Sequence, residues 1–310
     1  MNIRTIIDSF YKMVNDQQKH NESLDILKTQ IGNLQARELK NNPGTAFADA
    51  EFKVFSQYGD DGLIQYLIQN IAVSNKTFIE FGVENYTEAN TRFLLINDNW
   101  KGLVIDGGEK NIQQIKAQTI YWRHDLTAVS GFITKENINE LFTANGFEGE
   151  IGILSVDIDG NDYWVWENIH CVSPDIVIAE YNSNFGPTQP VSVPYNSSFY
   201  RTKAHYSNLF WGCSLNALCY LAEKKGYDHI GCNNAGNNAY FIKKEKRPAF
   251  LPKLTAEESF VEAKFRESRD QQGRLNYLSG KEKLKEIRDC VVTNVTDLKE
   301  YKIKDLYKAL

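Results

Sequence analysis

Near the middle of this 310-residue chain an apolar run, Ile151-Gly-Ile-Leu-Ser-Val, ends in Asp157-Ile-Asp159-Gly-Asn-Asp162, three carboxylates around one glycine. Carboxylates this close together can hold a divalent cation, take a proton from a substrate, or meet a positively charged ligand. The same residues also suit a turn and the cap of a following helix, because Asp and Asn favour both positions. Related endings recur along the chain. Thr77-Phe-Ile-Glu80-Phe runs into Gly82, Glu84 and Asn85; Lys101-Gly-Leu-Val-Ile ends in Asp106 and Gly107; Ile120-Tyr-Trp-Arg-His ends in Asp125 and Leu126; Pro174-Asp-Ile-Val-Ile-Ala ends in Glu180 and Asn182.

Short, nearly all-apolar runs of this kind suit strands buried on both faces of a parallel sheet, and open α/β sheets bind ligands at the carboxyl ends of such strands. Helical segments separate the runs, and Tyr227–Cys232 with Ala239–Lys244, joined by an Asn-rich turn, reads as an antiparallel hairpin. The expected fold class is therefore α/β, a doubly wound, mostly parallel, Rossmann-like sheet with a C-terminal antiparallel hairpin, an N-terminal helix and a C-terminal helical tail. Residues 1–44 form the amphipathic helix, 45–248 the α/β domain with a lid at about 183–210, and 249–310 the charged tail, with surface helices expected over 255–272 and 279–289. No chemistry is visible in that tail. The basic run Lys243–Arg247 reads as a solvated strand end.

In the N-terminal segment Ile3, Ile6, Phe10, Met13, Gln17, His20, Leu24, Leu27, Ile31 and Leu34 alternate at spacings of 3 and 4, a heptad seam with two polar interruptions. This stripe packs either on the chain's own domain or on a second copy, giving a homo-oligomer through residues 3–34. A net charge of −5, with Lys and Arg scattered, excludes a nucleic-acid backbone as the main partner. Five cysteines without a Cys-x-x-Cys pair fit reduced thiols, and the lack of a long apolar run fits a soluble, cytoplasmic protein without an integral membrane segment.

Gly82 lets backbone approach a ligand closely, and a helix beginning near Thr87 would aim its N–H groups at the same place. Asp106 follows Gly82 by 24 residues, near the interval of about 20 at which an acid grips a ribose 2′-hydroxyl in dinucleotide-type folds. Asp125 ends the next strand, where the exocyclic amine of an adenine would lie. There is no Walker loop, and no Lys or Arg stands in the glycine turn to meet a phosphate. An acidic edge suits a cationic, ribose-bearing ligand, and the sulfonium and amino groups of S-adenosylmethionine match that charge.

On Phe78-Ile-Glu-Phe-Gly82, Val104-Ile-Asp106, Leu154-Ser-Val-Asp-Ile-Asp-Gly160 and the final hairpin, the chain resembles class I S-adenosylmethionine-dependent methyltransferases. It is most similar to the FkbM-like sugar O-methyltransferases associated with bacterial surface-polysaccharide and natural-product pathways. The resemblance spans about residues 55–245. It implies that Glu80, Gly82 and Glu84 line the methionine part of the cofactor, Asp106 the ribose, and Asp125 and Leu126 the adenine, with Gln57 and Tyr58 closing over it and Asn85 and Gly107 also among the cofactor-binding residues. The implied activity is O-methylation of a sugar hydroxyl in a glycoconjugate or polysaccharide precursor, the partner being a small molecule or glycan. The chain departs from the family in carrying Val-Asp-Ile-Asp-Gly-Asn-Asp where one Asp followed by Glu-Gly is usual.

A sugar hydroxyl needs help to react. Either His205 takes its proton, with Asp157 facing the reacting oxygen, or Mg2+ or another divalent metal held by Asp157, Glu180 and Asn182 lowers its pKa, a placement similar to that of catechol-type O-methyltransferases. Two further functions fit the fold class: a nicotinamide-dependent oxidoreductase, and a non-enzymatic assembly protein of a polysaccharide-synthesis complex.

Overall fold

The computed structural model describes residues 3–307. Ten strands are present: β1 Thr77–Phe81, β2 Lys101–Asp106, β3 Leu126–Ser130, β4 Gly149–Val156, β5 Val172–Glu180, β6 Val191–Ser192, β7 Tyr227–Cys232, β8 Asn238–Lys243, β9 Val291–Asn294 and β10 Lys299–Lys302. Seven form one sheet in the order β3-β2-β1-β4-β5-β8-β7. The first five run parallel and β8 runs antiparallel to both its neighbours, β5 and β7. This is the expected doubly wound, mostly parallel, Rossmann-like sheet with its hairpin. Strand order reverses between β1 and β4, so the ligand crevice of such a sheet opens beyond the ends of these two strands.

Side chains alternate across the strands with period two. Ile79, Phe81, Leu103, Ile105, Leu154 and Val156 pack on one face beneath the helices Asp162–Asn168 and Leu215–Lys225; Phe78, Val104, Ile153 and Ile176 pack on the other beneath Asp60–Asn70 and Glu109–Ala117. Leu215–Lys225 is capped by the Ser214 side chain, which accepts from the Ala217 N–H, and stopped by left-handed Gly226.

Two buried acids at the start of Asp60–Asn70 do more than complement its dipole. Asp60 accepts from the Tyr240 hydroxyl at 2.6 Å and the Asn238 amide at 3.0 Å, tying the helix to β8. Asp61 accepts from the N–H groups of Val54, Phe55 and Ser56 at 2.7–2.8 Å, which folds the segment leading to Gln57 and Tyr58 across the strand ends. Similarly, Lys243 and Lys246 are not a solvated strand end: they flank the fully buried Asp175, at 3.5 and 2.9 Å.

Three segments differ from the sequence reading. Thr119–Arg123 is a short helix, and β3 begins only at Leu126, so Asp125 stands at the amino end of the strand. The helix expected near Thr87 begins at Arg92, because Glu80 accepts from the N–H groups of Asn90 and Thr91 at 2.8 and 2.9 Å and caps it there. In the tail, only Ala256–Ser259 and Lys281–Glu286 of the two expected helices are helical. The tail instead supplies the β9–β10 hairpin, to which β6 of the lid adds as a third strand. Phe185, Val191 and Phe210 of the lid share a small core with Leu284, Ile287 and Val292 of the tail. The N-terminal segment is a helix, Ile3–Asn41, as expected; the side chains of Ile3 and Ile6 lie outside the described residues.

Gly82 has a reason of its own to be glycine. Its φ is +78°, and a Cβ there would lie 1.7 Å from the Asp157 carbonyl oxygen. Close passage of the β1 and β4 ends, rather than a ligand, forbids a side chain. Gly82→Ala is therefore expected to cost roughly 3 kcal/mol or more in unfolding free energy measured with urea; unchanged stability would contradict this packing.

Candidate functional site

Beyond the ends of β1, β2 and β4 lies a cleft of two lobes. The larger, about 430 Å³, is bordered by Gly82, Glu84, Asp106, Gly107, Phe132 and Asp157. The smaller, about 340 Å³, is bordered by Gln57, Tyr58, Glu80, Glu88, Asp157, Glu180, Phe265 and Glu267. Asp157, Asp159, Arg201 and Glu267 border both. Volumes of this size suit a small-molecule ligand. Among the described residues lining the lobes, Arg201 is the only cation.

Each acid has a distinct environment. Asp106 accepts from the N–H groups of Glu84 and Gly108 at 2.8 and 2.7 Å and from the Asn111 amide at 2.8 Å, which orients its carboxylate at the wall of the larger lobe. Next to it, a Cβ on Gly107 would meet only Phe132, at 3.7 Å, so the backbone there is open to the cleft. Glu80 is spent largely on capping the Arg92 helix yet borders the smaller lobe. Asp162 accepts from the N–H groups of Ile158 and Gly160 at 2.8 and 2.9 Å and so shapes the turn after β4; burial pushes its carboxyl up to about 6. Asp159, held at φ +55°, pairs with Arg201 of the lid at 2.6 Å. Arg201 also pairs with Glu267 of the tail and lies over the Trp211 ring, 4.5 Å from its centroid.

Asp157 and Glu180 remain. They end adjacent strands, and together with Asp162 each offers a carboxylate oxygen within 4.8 Å of the others. Burial, then Asp159 and Asp162, raises Asp157 well above the usual carboxylate range; burial, then Asp157, does the same to Glu180. Glu180 Oε2 is buried without a hydrogen-bond partner. Two facing carboxyls in such a place share a proton or take up a cation.

The structure brings Gln57, Tyr58, Glu80, Gly82, Glu84, Asp106, Gly107, Asp157 and Glu180 to one cleft. It removes five other expectations. Asp125 and Leu126 sit at the opposite edge of the sheet, because the strand starts where it was expected to end. Asn85 turns its side chain to Thr87, at 2.6 Å from the hydroxyl. Asn182 spends its amide on the lid, donating to the Leu209 and Trp211 carbonyls at 3.0 and 2.9 Å, and the carboxylate beside Asp157 and Glu180 is that of Asp162. His205 does not line the cleft; its Nδ1 meets the Ser207 hydroxyl at 2.7 Å, and its ring packs against Tyr206.

Arg201, Phe265 and Glu267 were missed. Arg201, the first charged residue after the uncharged stretch 181–200, is a legible signal for the first. The other two come from a segment read as an exposed helix. Phe265 instead stacks against Tyr58 with ring centroids 6.3 Å apart and planes at 9°.

No protein-family model and no curated protein matches the chain. Solved structures of similar architecture include the N-terminal domain of EvdMO1 with SAH bound, at 10% identity over 54% of this chain and 72% of that one, TM-score 0.36. Others are M. capricolum TrmK in complex with S-adenosyl-homocysteine, at 12% identity over 60% and 70%, TM-score 0.36, and an S-adenosylmethionine-dependent methyltransferase from Clostridium acetobutylicum, at 8% identity over 59% and 89%, TM-score 0.38.

Both members of the Asp157–Glu180 pair have folded-state pKa values above their ordinary ones. The folded protein thus binds more protons than the unfolded chain, and the pair's contribution to stability falls as pH rises past the usual carboxylate range. Glu180→Gln removes one charge. Calorimetry of the unliganded variant is expected to show Tm raised by about 2 °C or more at pH 8 and little changed at pH 5; an equal Tm at pH 8 would show that the two carboxyls do not oppose each other.

Proposed function

We propose that the chain is an S-adenosylmethionine-dependent O-methyltransferase that modifies a sugar hydroxyl in a glycoconjugate or surface-polysaccharide precursor. The observation that carries this reading is the Asp157–Glu180 pair at the β4 and β5 ends, beside a lobe whose wall holds the oriented Asp106 carboxylate and open backbone at Gly107. S-adenosylmethionine, when bound, supplies a methyl group on a sulfonium. Its positive charge suits a cleft whose acids face a single arginine, whereas the pyrophosphate of a nicotinamide dinucleotide would meet only Arg201, which is already paired with Asp159 and Glu267. Asp106 would hold the ribose hydroxyls, and Gln57 and Tyr58 would close over the methionine part.

In this reading the smaller lobe holds the methionine part beneath Gln57 and Tyr58 and seats the acceptor toward Phe265 and Glu267. The ionised member of the Asp157–Glu180 pair would accept the hydroxyl proton, and S-adenosylmethionine, when bound, would supply the methyl group and leave as its thioether. The products are the methyl ether and S-adenosylhomocysteine. The base assigned to His205 thus passes to this pair. A hard divalent cation fits the same donors, which are all carboxylate oxygens and include the unpartnered Glu180 Oε2. Asp157 and Glu180, with Asp162 behind, would hold it, and its charge would lower the hydroxyl pKa. The acidic lining also favours an acceptor without a phosphate near its reacting hydroxyl.

Calorimetric titration with S-adenosylhomocysteine is expected to give saturable binding, weakened about tenfold by Asp106→Asn through loss of charge-assisted hydrogen bonds. No binding to the wild type would overturn the reading. For the cation, millimolar Mg2+ is expected to raise the Tm of the wild type but not of Glu180→Gln; equal shifts in both would place the ion elsewhere.

A further inference from the structure

The helix Ile3–Asn41 presents two different faces to its surroundings. One docks on the α/β domain. Asp25 pairs with the buried Arg92 at 3.0 Å, and Gly32 is pressed so close to Val54 and Phe93 that a Cβ would lie 2.5 Å from the Val54 methyl. Ala36 is buried with Phe52 and Phe55. These contacts fix the rotation of the helix about its axis.

The heptad stripe lies on the other face. Phe10, Met13, Leu24, Leu27, Ile31 and Leu34 are between 42% and 64% exposed, the largest run of apolar side chains left in solvent by the described residues. At 100° per residue the seam centre is roughly 130° from the docking face. The domain therefore does not cover the stripe, and the choice left open by the sequence is decided against self-packing.

We propose that the occupant is the same helix of a second copy of this chain, forming a two-stranded coiled coil over residues 10–34. The seam is 25 residues long, about 37 Å at 1.5 Å per residue, and exceeds three heptads. Its polar positions, Gln17 and His20, need polar neighbours across the seam. A parallel two-fold pairing of identical helices supplies them, each residue opposite itself, whereas an antiparallel pairing over the same residues would set Gln17 against Leu27 and His20 against Leu24. Every remaining layer is then apolar on both sides. The flanking positions carry one acid and one base, Asp16 and Lys28, among Asn21, Ser23, Gln30 and Gln35, so two copies meet without like-charge repulsion. A lipid surface fits less well, since residues 1–41 hold six Lys or Arg against five Asp or Glu, and the bilayer would bury Gln17 and His20.

Light scattering on the full chain at tens of micromolar tests the pairing. The expected mass is twice 35.5 kDa for the wild type and 35.5 kDa for the double variant Leu24→Glu with Leu27→Glu. Both leucines are exposed on the single chain, so the variant is expected to keep the circular dichroism of the folded domain. Asp25→Ala, on the docking face, is expected to remain a dimer. A monomeric wild type, or a dimer that survives the double glutamate variant, overturns the proposal.

Discussion

Two carboxyl groups, the half-buried Asp157 and the buried Glu180, end neighbouring strands and face each other at the cleft. Like charges held this way cannot both ionise without a compensating cation or proton, and the surrounding structure is arranged around that constraint. The nearby acids are mostly satisfied by protein donors: Glu80 by the Arg92 helix, Asp106 by two N–H groups and an amide, Asp162 by its own turn, Asp159 by Arg201. Glu180 Oε2 is left without a protein donor, so this pair keeps unspent hydrogen-bonding capacity.

Much of this was legible because buried parallel strands are short apolar runs that end where polarity resumes. β1, β2, β4 and β5 could be placed from that change alone, and with them Gly82, Asp106, Asp157 and Glu180. The same rule misplaced Asp125. Ile120, Tyr121 and Trp122 look like a strand, but a short amphipathic helix with buried Ile120 uses the same composition. Asn182 stands at a strand end as expected, yet a primary amide also satisfies buried carbonyls, and two from the lid claim it. Those partners lie 27 and 29 residues away, beyond any local pattern.

The lid and tail illustrate a further gap. Charge and the lack of an apolar run made residues 255–272 look like a solvated helix, although beyond Ser259 the segment is irregular and delivers Phe265 and Glu267 to the cleft. Because β6 of the lid pairs with β9, and Arg201 bridges Asp159 to Glu267, the lid is bound to both the strand-end turn and the tail. Access to the smaller lobe therefore depends on contacts made by residues more than a hundred positions beyond the central Asp cluster. The N-terminal helix adds a second level of organisation, docking by one face while its heptad seam stays outward.

The central claim is that the Asp157–Glu180 pair faces the reacting group of a bound cofactor whose ribose is held by Asp106. A structure of the chain with S-adenosylhomocysteine tests it most directly. The account predicts ribose hydroxyls hydrogen-bonded to Asp106 and the thioether sulfur turned toward Asp157 and Glu180. A ligand seated away from the β1–β4 crevice, or a sulfur directed away from the pair, would contradict it.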